Sequence, residues 1–308
     1  MKIVFMGTPV FAVNVLEKLI EKKYNVCLVV TQPDKKTGRG QKIVYSPIKK
    51  LAIKNNLKLI QPDNINDCVS TIAEMDADYI VTCAYGQFLS SEILKLAKIK
   101  ALNVHASLLP KYRGGAPIHR AIMNGDEYTG VSIMEMIDKM DAGNIFIQEK
   151  IPINNEDNLE TIHDKLSLLG SELLPRCLDE LQNDIRLGVK QDEKEVTYSP
   201  IISKQERKIN FNDKAINIYN KVRAFNPFPY AIIYYEDLII KVHKVLITSK
   251  KSEKPVGEII LISKDGIEVS TDDYNIIIVE LTISGKKTMD AKQFYNGNKE
   301  IKIGTKFK

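Results

Sequence analysis

No HExxH stretch, no CxxC pair and no Cys/His cluster occurs in the 308 residues, which hold only four histidines. The spacings that signal a metal site are missing, so no metal is expected. The four cysteines, Cys27, Cys68, Cys83 and Cys177, are scattered inside apolar segments. They read as reduced core thiols of a cytosolic protein rather than a disulfide frame. No apolar run approaches the roughly 18 residues that a membrane span needs. The opening MKIVFMGTPVFAVNVL has one Lys and a short apolar run broken by Pro9, with no small-residue cleavage site after it. No secretory signal is expected, and the location expected is cytoplasmic. The first strand-to-helix turn reads GTPVFA and lacks the GxGxxG fingerprint, which argues against a dinucleotide site.

What is present points to a two-domain globular chain. Apolar content of 44% and charged content of 27% are ordinary for a protein with a sizeable core. A length of 308 residues suits about two domains. Charge divides unevenly. Residues 1–200 carry 25 Lys and Arg against 26 Asp and Glu, whereas residues 201–308 carry 19 against 13. A basic module beside a near-neutral one suits a polyanionic partner such as nucleic acid. Lysine-rich solubility accounts for the same surplus equally well.

The first half alternates short apolar runs with helical spacing. KIVFMG (2–7), NVCLVVTQ (25–32), YIVTCAYG (79–86) and ALNVHA (101–106) read as strands. Phe11, Val15, Leu16 and Leu19 share one helical face between the first two. Alternation of this kind predicts βα units and a Rossmann-like open parallel sheet. GVSIMEMIDKMDAGNIFIQEKI then offers two strands joined by a turn, and a long helix is expected over about 157–183. From 208 onward the runs YAIIYY, LIIKVHKVLI, VGEIILI, IEVS and YNIIIVEL are separated by turn signals. They predict a small β-barrel of the OB-like kind, a fold that often binds nucleic acid. The domains expected are therefore 1–183, a polar linker at 184–207, and 208–308.

The chemistry concentrates in NVHASLLPKYRGGAP (103–117). Residues two apart in a strand face the same way, so Asn103 and His105 share a face at the strand's C-terminal end. Ligands of open α/β sheets bind at that edge. Asp141, in an Asp-Ala-Gly turn after a strand, is the third candidate. An Asp beside a His fixes its tautomer and favours its charged form. An Asn amide donates to a developing oxyanion. Taken singly, His105 reads as a core histidine, Asn103 as a strand-end cap and Asp141 as an ordinary turn residue. Together they suit direct acyl transfer to an amine, since no nucleophilic Ser or Cys stands with them.

NVHASLLPKYRGGAP, followed by TGVSIMEMIDKMDAGN (129–144), closely resembles the folate-dependent formyltransferases. FMGTPVFAVNVLEKL, TQPDKKTGRGQKIVYSPIK, RAFNPFPYA and GKKTM resemble those members that act on methionyl-tRNA, and the likeness spans the chain. The resemblance implies 10-formyltetrahydrofolate as formyl donor and the α-amine of charged initiator Met-tRNA as acceptor. It implies direct amine attack through a tetrahedral intermediate, serving translation initiation. Asn103 and His105 would polarise the formyl oxygen, and Asp141 would orient His105 and help the amine lose its proton. Ser107, Leu108, Leu109 and Pro110 match the family's folate-binding signature. Backbone around Ala84, Tyr85, Gly86 and Leu89 would wall the pterin pocket. The loop 32–45 matches a tRNA-contacting insertion, with Arg39 between Gly38 and Gly40 as its main contact. Lys204, Lys286 and Lys287 are further tRNA candidates, while Arg223 and 225–229 would hold the second domain together. Tyr112 and Phe228 stand where relatives often carry Trp, and both remain aromatic.

Other folate-dependent N-formyltransferases, taking a sugar nucleotide or glycinamide ribonucleotide, would keep the trio but need neither the GRG loop nor a basic β-domain. A formyltetrahydrofolate hydrolase would share the trio with water as acceptor. A non-catalytic RNA-binding protein would not need Asn103 or His105. The chain is expected to act as a monomer.

Overall fold

The first 182 residues run β1 (Lys2–Gly7), α1 (Phe11–Glu21), β2 (Asn25–Val30), β3 (Lys35–Thr37), β4 (Lys42–Val44), α2 (Pro47–Lys54), β5 (Leu59–Ile60), α3 (Val69–Ala73), β6 (Tyr79–Cys83), α4 (Ser91–Leu94), β7 (Lys100–His105), α5 (Pro117–Met123), β8 (Tyr128–Glu135), β9 (Ile145–Pro152) and α6 (Leu159–Gln182). The structure, a computed structural model, describes all residues except 38–40, 184–186 and 298–299. It divides into two units. One comprises residues 1–117, 128–152 and 163–199, the other 118–127, 153–162 and 200–308.

The first unit is organised by a seven-stranded sheet of order β5-β2-β1-β6-β7-β8-β9. Pairing is parallel from β5 to β7 and antiparallel from β7 to β9. The alternation in the sequence therefore predicts a parallel-dominated sheet correctly, and the MDAGN turn adds a hairpin that makes it mixed. β1 and β6 are apolar almost throughout because both faces are covered. Helix α1 buries Phe11, Ala12, Val15, Leu16 and Leu19, the stripe visible in the sequence. Helix α2 starts at a Ser-Pro pair: Ser46 Oγ accepts the Lys49 N–H at 3.0 Å and Pro47 opens the first turn. Under the sheet, Val4, Met6, Leu28, Val30, Ile65 and Ile80 belong to one buried cluster.

The segment expected as a linker behaves differently. Of its described residues, 187–199 belong to the first unit and 200–207 to the second. Val189 and Ile145 exchange backbone hydrogen bonds of 2.8 and 2.9 Å, and Ser199 and Gln191 are buried. The polar pattern hid this, because the segment packs through hydrogen bonds of its backbone and of the Gln191, Thr197 and Ser199 side chains rather than through an apolar face.

The second unit contains α7 (Ala215–Ala224), β10 (Ala231–Tyr235), β11 (Leu238–Lys251), β12 (Ile259–Ser263), β13 (Gly266–Val269), β14 (Tyr274–Ile283), β15 (Met289–Asp290) and α8 (Ala291–Gly297). The sheet is antiparallel, ordered β10-β11-β14-β13-β12, with β15 on β14. The chain's last residues lace its two edges together. Lys308 exchanges two 2.8 Å hydrogen bonds with Tyr234 beside one edge, while Thr305 and Phe307 bond Ile259 and Gly257 at the other. This tail covers edges that would otherwise be open to pairing with another chain. Phe307 pins it, stacked on Phe211 at 6.2 Å and edge-on to Tyr235 at 5.9 Å, and its burial contributes roughly 1.5–3 kcal/mol.

Candidate active site

Strand β7 carries Asn103 and His105 to the C-terminal edge of the parallel strands, as period two predicts. The hairpin between β8 and β9 carries Asp141 to them. Asn103 Nδ2 donates to Asp141 Oδ1 at 3.3 Å, and His105 Nδ1 lies 3.6 Å from the same oxygen. The Gly114 N–H donates to Asp141 Oδ2 at 2.9 Å, so both carboxylate oxygens are engaged. His105 and Asp141 side chains are only 6% and 13% exposed, which strengthens every charge interaction between them.

The orientation of each group follows from who can donate. Thr82 Oγ1 donates to Asn103 Oδ1 at 2.9 Å, and the opposite amide orientation would set Oδ1 against the Asp141 carboxylate. Asn103 therefore presents NH2 to the site, and its second hydrogen has no partner among the described residues. His105 Nε2 lies 3.0 Å from the Tyr112 carbonyl, which can only accept. Nε2 thus carries a proton, and Nδ1 is the nitrogen turned toward Asp141. The Tyr112 carbonyl holds the Nε2 proton, and Asp141 faces Nδ1 on the other side of the ring. Asp141 attracts the ring only when Nδ1 is protonated.

Tyr112 can aim its carbonyl inward because it sits at φ +64°, a left-handed conformation costing a side chain about 1–2 kcal/mol. Residues 197–199 hold it there. Thr197 Oγ1 accepts the Tyr112 N–H at 2.9 Å, and Ser199 Oγ donates to its carbonyl at 2.9 Å. Gly114 follows at φ +122°, where a Cβ would stand 2.9 Å from the Ser199 carbonyl oxygen. The second glycine of importance is Gly143, whose missing Cβ leaves room for the Glu135 carbonyl. The Asp-Ala-Gly spacing is thereby explained: Gly143 lets the turn close onto β8 while Asp141 points back at β7.

Compared with known proteins, residues 1–178 match the Formyl transferase family and residues 201–299 match the Formyl transferase, C-terminal domain. The chain is 42% identical to the methionyl-tRNA formyltransferase of Mesoplasma florum, over 99% of this chain and 98% of that one. The chain belongs to the methionyl-tRNA formyltransferase family. It is 44% identical to the Pediococcus pentosaceus methionyl-tRNA formyltransferase, covering 96% of this chain and 93% of that one. Among solved structures, WlaRD, a sugar 3N-formyl transferase determined with dTDP and 5-N-formyl-THF, shares the fold with a TM-score of 0.67. It is 22% identical over 93% of this chain and 99% of its own.

The stretch that resembles the family's folate signature follows β7 directly. Ser107 is buried and donates to the Lys111 carbonyl at 2.7 Å, closing the SLLP turn. Leu109 donates its N–H to Ser132 Oγ at 3.2 Å, while its carbonyl accepts from Gln148 at 2.9 Å. Leu108 and Pro110 are half-buried, and the Leu109–Pro110 peptide is cis. At the end of β6, Ala84 and Gly86 are exposed at φ +47° and +90°. Tyr85 between them turns its ring into the core, where burial pushes the phenol up to about 12. It offers the outside only backbone, and its carbonyl already accepts from Thr8 at 3.0 Å. Leu89 is likewise a core residue.

Arg39 lies outside the described residues. The strands flanking it, β3 and β4, pair antiparallel, and at their root Asp34 accepts from both Gln61 and Lys49. Lys204, Lys286 and Lys287 are exposed positions of the second unit. Lys286 Nζ stands 3.9 Å from Glu300, and both lysines line a cavity of about 360 Å³ with Phe294 and Met289. Arg223 joins parts of the second unit, donating to the Asn154 and Asp157 carbonyls at 2.9 and 3.1 Å. Among the described residues no group of three His, Cys, Asp or Glu could hold a metal, and no helix is long and apolar enough to cross a membrane.

Proposed function

We propose that the chain transfers the formyl group of 10-formyltetrahydrofolate to the α-amine of charged initiator Met-tRNA. The observation that carries this is the convergence of Asn103, His105 and Asp141 at one sheet edge, in a chain 42% identical to methionyl-tRNA formyltransferases along its length. The donor supplies a formyl carbonyl, and the residues at the edge suit it: Asn103 has an amide hydrogen to give, and exposed backbone at Ala84 and Gly86 leaves a flat ring room to approach. Asn103 Nδ2 and protonated His105 Nδ1 stabilise the charge that grows on the formyl oxygen as the amine attacks. Asp141 attracts the ring whenever Nδ1 carries a proton; His105 Nδ1 gives that proton to the nitrogen that leaves and takes the one the attacking amine sheds, so the protons balance. An α-amine of pKa about 7.7–8.0 is partly neutral at cellular pH, so positioning contributes as much as base strength. In this reading the enzyme is cytoplasmic and works as a monomer.

In this reading the second unit and the 32–45 arm hold the tRNA. The charge surplus of residues 201–308 supports it. Arg39→Ala raises KM for charged tRNA while leaving folate binding unchanged, and alanine at Lys204, Lys286 or Lys287 flattens the salt dependence of tRNA binding by about one unit each. Equal loss of folate binding in a direct titration would contradict the Arg39 role.

The test is formyl-label transfer from 10-formyltetrahydrofolate, with charged initiator Met-tRNA, uncharged tRNA, glycinamide ribonucleotide, an amino-sugar nucleotide or no acceptor. Label on the methionine of charged tRNA alone is expected. Label on a sugar nucleotide or ribonucleotide, or folate release without acceptor, would overturn the acceptor and leave the trio's chemistry standing.

A further inference from the structure

Arg113 is a charged side chain with 1% exposure, the largest of the fully buried side chains among the described residues. Its guanidinium donates through Nε and Nη2 to Gln191 Oε1, at 3.0 and 2.9 Å, and through Nη2 to Glu193 Oε1 at 2.9 Å. Gln191, itself 5% exposed, has its amide oriented by this contact, because a guanidinium has only donors to offer. The amide NH2 therefore points the other way. It donates to two backbone carbonyls, Asp141 at 2.9 Å and Gly143 at 2.8 Å. Those carbonyls bracket the turn that presents the Asp141 carboxylate to Asn103 and His105.

That turn has reason to move. Asp141 sits at φ +50°, a left-handed conformation that aspartate adopts only at isolated turn positions, and residues 137–140 before it are exposed. We infer that Gln191, locked by Arg113, is a positioning residue for formyl transfer: it holds the Asp141 turn at the distance from His105 at which the carboxylate acts. The inference rests on the proposed role of Asp141. Gln191 touches no reacting atom and acts through the backbone of the turn alone. A segment without apolar pattern, 50 residues from Asp141 in the chain, thus becomes part of the site's second layer.

Two replacements separate positioning from mere stability. Gln191→Glu keeps an acceptor for Arg113 and strengthens that pair, but sets a carboxylate oxygen against the Asp141 and Gly143 carbonyls. Gln191→Met removes both sets of bonds. Gln191→Glu is expected to unfold at or near the wild-type temperature, to keep KM for the formyl donor and for charged tRNA, and to lose kcat by about tenfold to a hundredfold, the cost of a displacement near 1 Å. In an Asp141→Asn background the same replacement adds at most about twofold, since it acts through a group already lost. Wild-type kcat in Gln191→Glu would overturn the inference, showing that Arg113 needs only an acceptor. A full additional loss in the Asp141→Asn background would overturn it as well. If Asp141→Asn itself transferred formyl at the wild-type rate, the proposed chemistry would fail first, independently of Gln191. Gln191→Met calibrates stability: a large drop in unfolding temperature there, beside a stable but slow Gln191→Glu, is the expected pattern.

Discussion

Asn103 and His105 stand on β7, held by β6 on one side and β8 on the other, whereas Asp141 stands on a turn held by a few hydrogen bonds from distant residues. On the strand, register does the positioning: Asn103 is paired with Thr82 and Met134, and His105 with Ser132. On the turn, each contact comes from a different part of the chain, the Gly114 N–H to the carboxylate and the Gln191 amide to the backbone. The strand-borne half is thus rigid by construction and the turn-borne half by convergence. Loss of one contact leaves a ladder nearly intact but releases a turn.

The difference orders the expected effects. Removing a strand-borne group deletes chemistry and leaves the fold. His105→Ala is expected to slow transfer by about 10²–10⁴ and Asn103→Ala by about 10²–10³, with unfolding temperatures near wild type. A folded His105→Ala enzyme turning over normally would sink the assignment. Disturbing the turn couples rate to stability instead. Gly143→Ala drives a Cβ into the Glu135 carbonyl, so the backbone must shift, at about 1–3 kcal/mol. A lower denaturant midpoint together with slower transfer is expected, and an unchanged pair of values would show that the turn has slack.

Acid resistance sharpens the same contrast with a smaller effect. The Arg113 and Lys139 side chains hold the Glu193 carboxyl down to about 2, and Arg120 with the Ser203 N–H holds Glu206 down to about 2, against an ordinary 4.5. A carboxyl lowered on folding contributes stability that is complete above about 4.5 and disappears as pH falls toward 2. Glu193 is 55% exposed, so solvent screens its share. Denaturant midpoints are expected to fall between pH 4.5 and 2, and less steeply in Glu193→Gln or Glu206→Gln. A slope identical to wild type in both variants would remove these pairs from the account.

Legibility in the sequence follows the same division. Strand periodicity places Asn103 and His105 on one face without any structure, and the MDAGN turn marks Asp141. The alternation of runs is enough for the parallel sheet, and the change of pattern after 208 for the antiparallel one. Side-chain pattern does not report contacts made by backbone. Residues 187–199 read as linker because their packing is hydrogen-bonded, as Val189, Thr197 and Ser199 demonstrate. The tail 304–308 makes its contacts through backbone in the same way, lacing two sheet edges. The backbone around Tyr85 reads as a pocket wall, while nothing in its neighbours tells that its ring belongs to the core. Thr82 and Gln191 carry no local signal, being ordinary polar residues whose partners lie 21 and 50 residues away.

The central claim is that the two halves act as one unit on one carbonyl. Single-turnover formyl transfer to charged Met-tRNA, measured for His105→Ala, Asp141→Asn and the double variant, tests it most directly. Groups that work together lose most of their effect with the first deletion, so the double variant is predicted to be about as slow as the slower single one. A double variant slowed by the product of the two single losses would mean that the strand and the turn serve separate steps, contradicting the account.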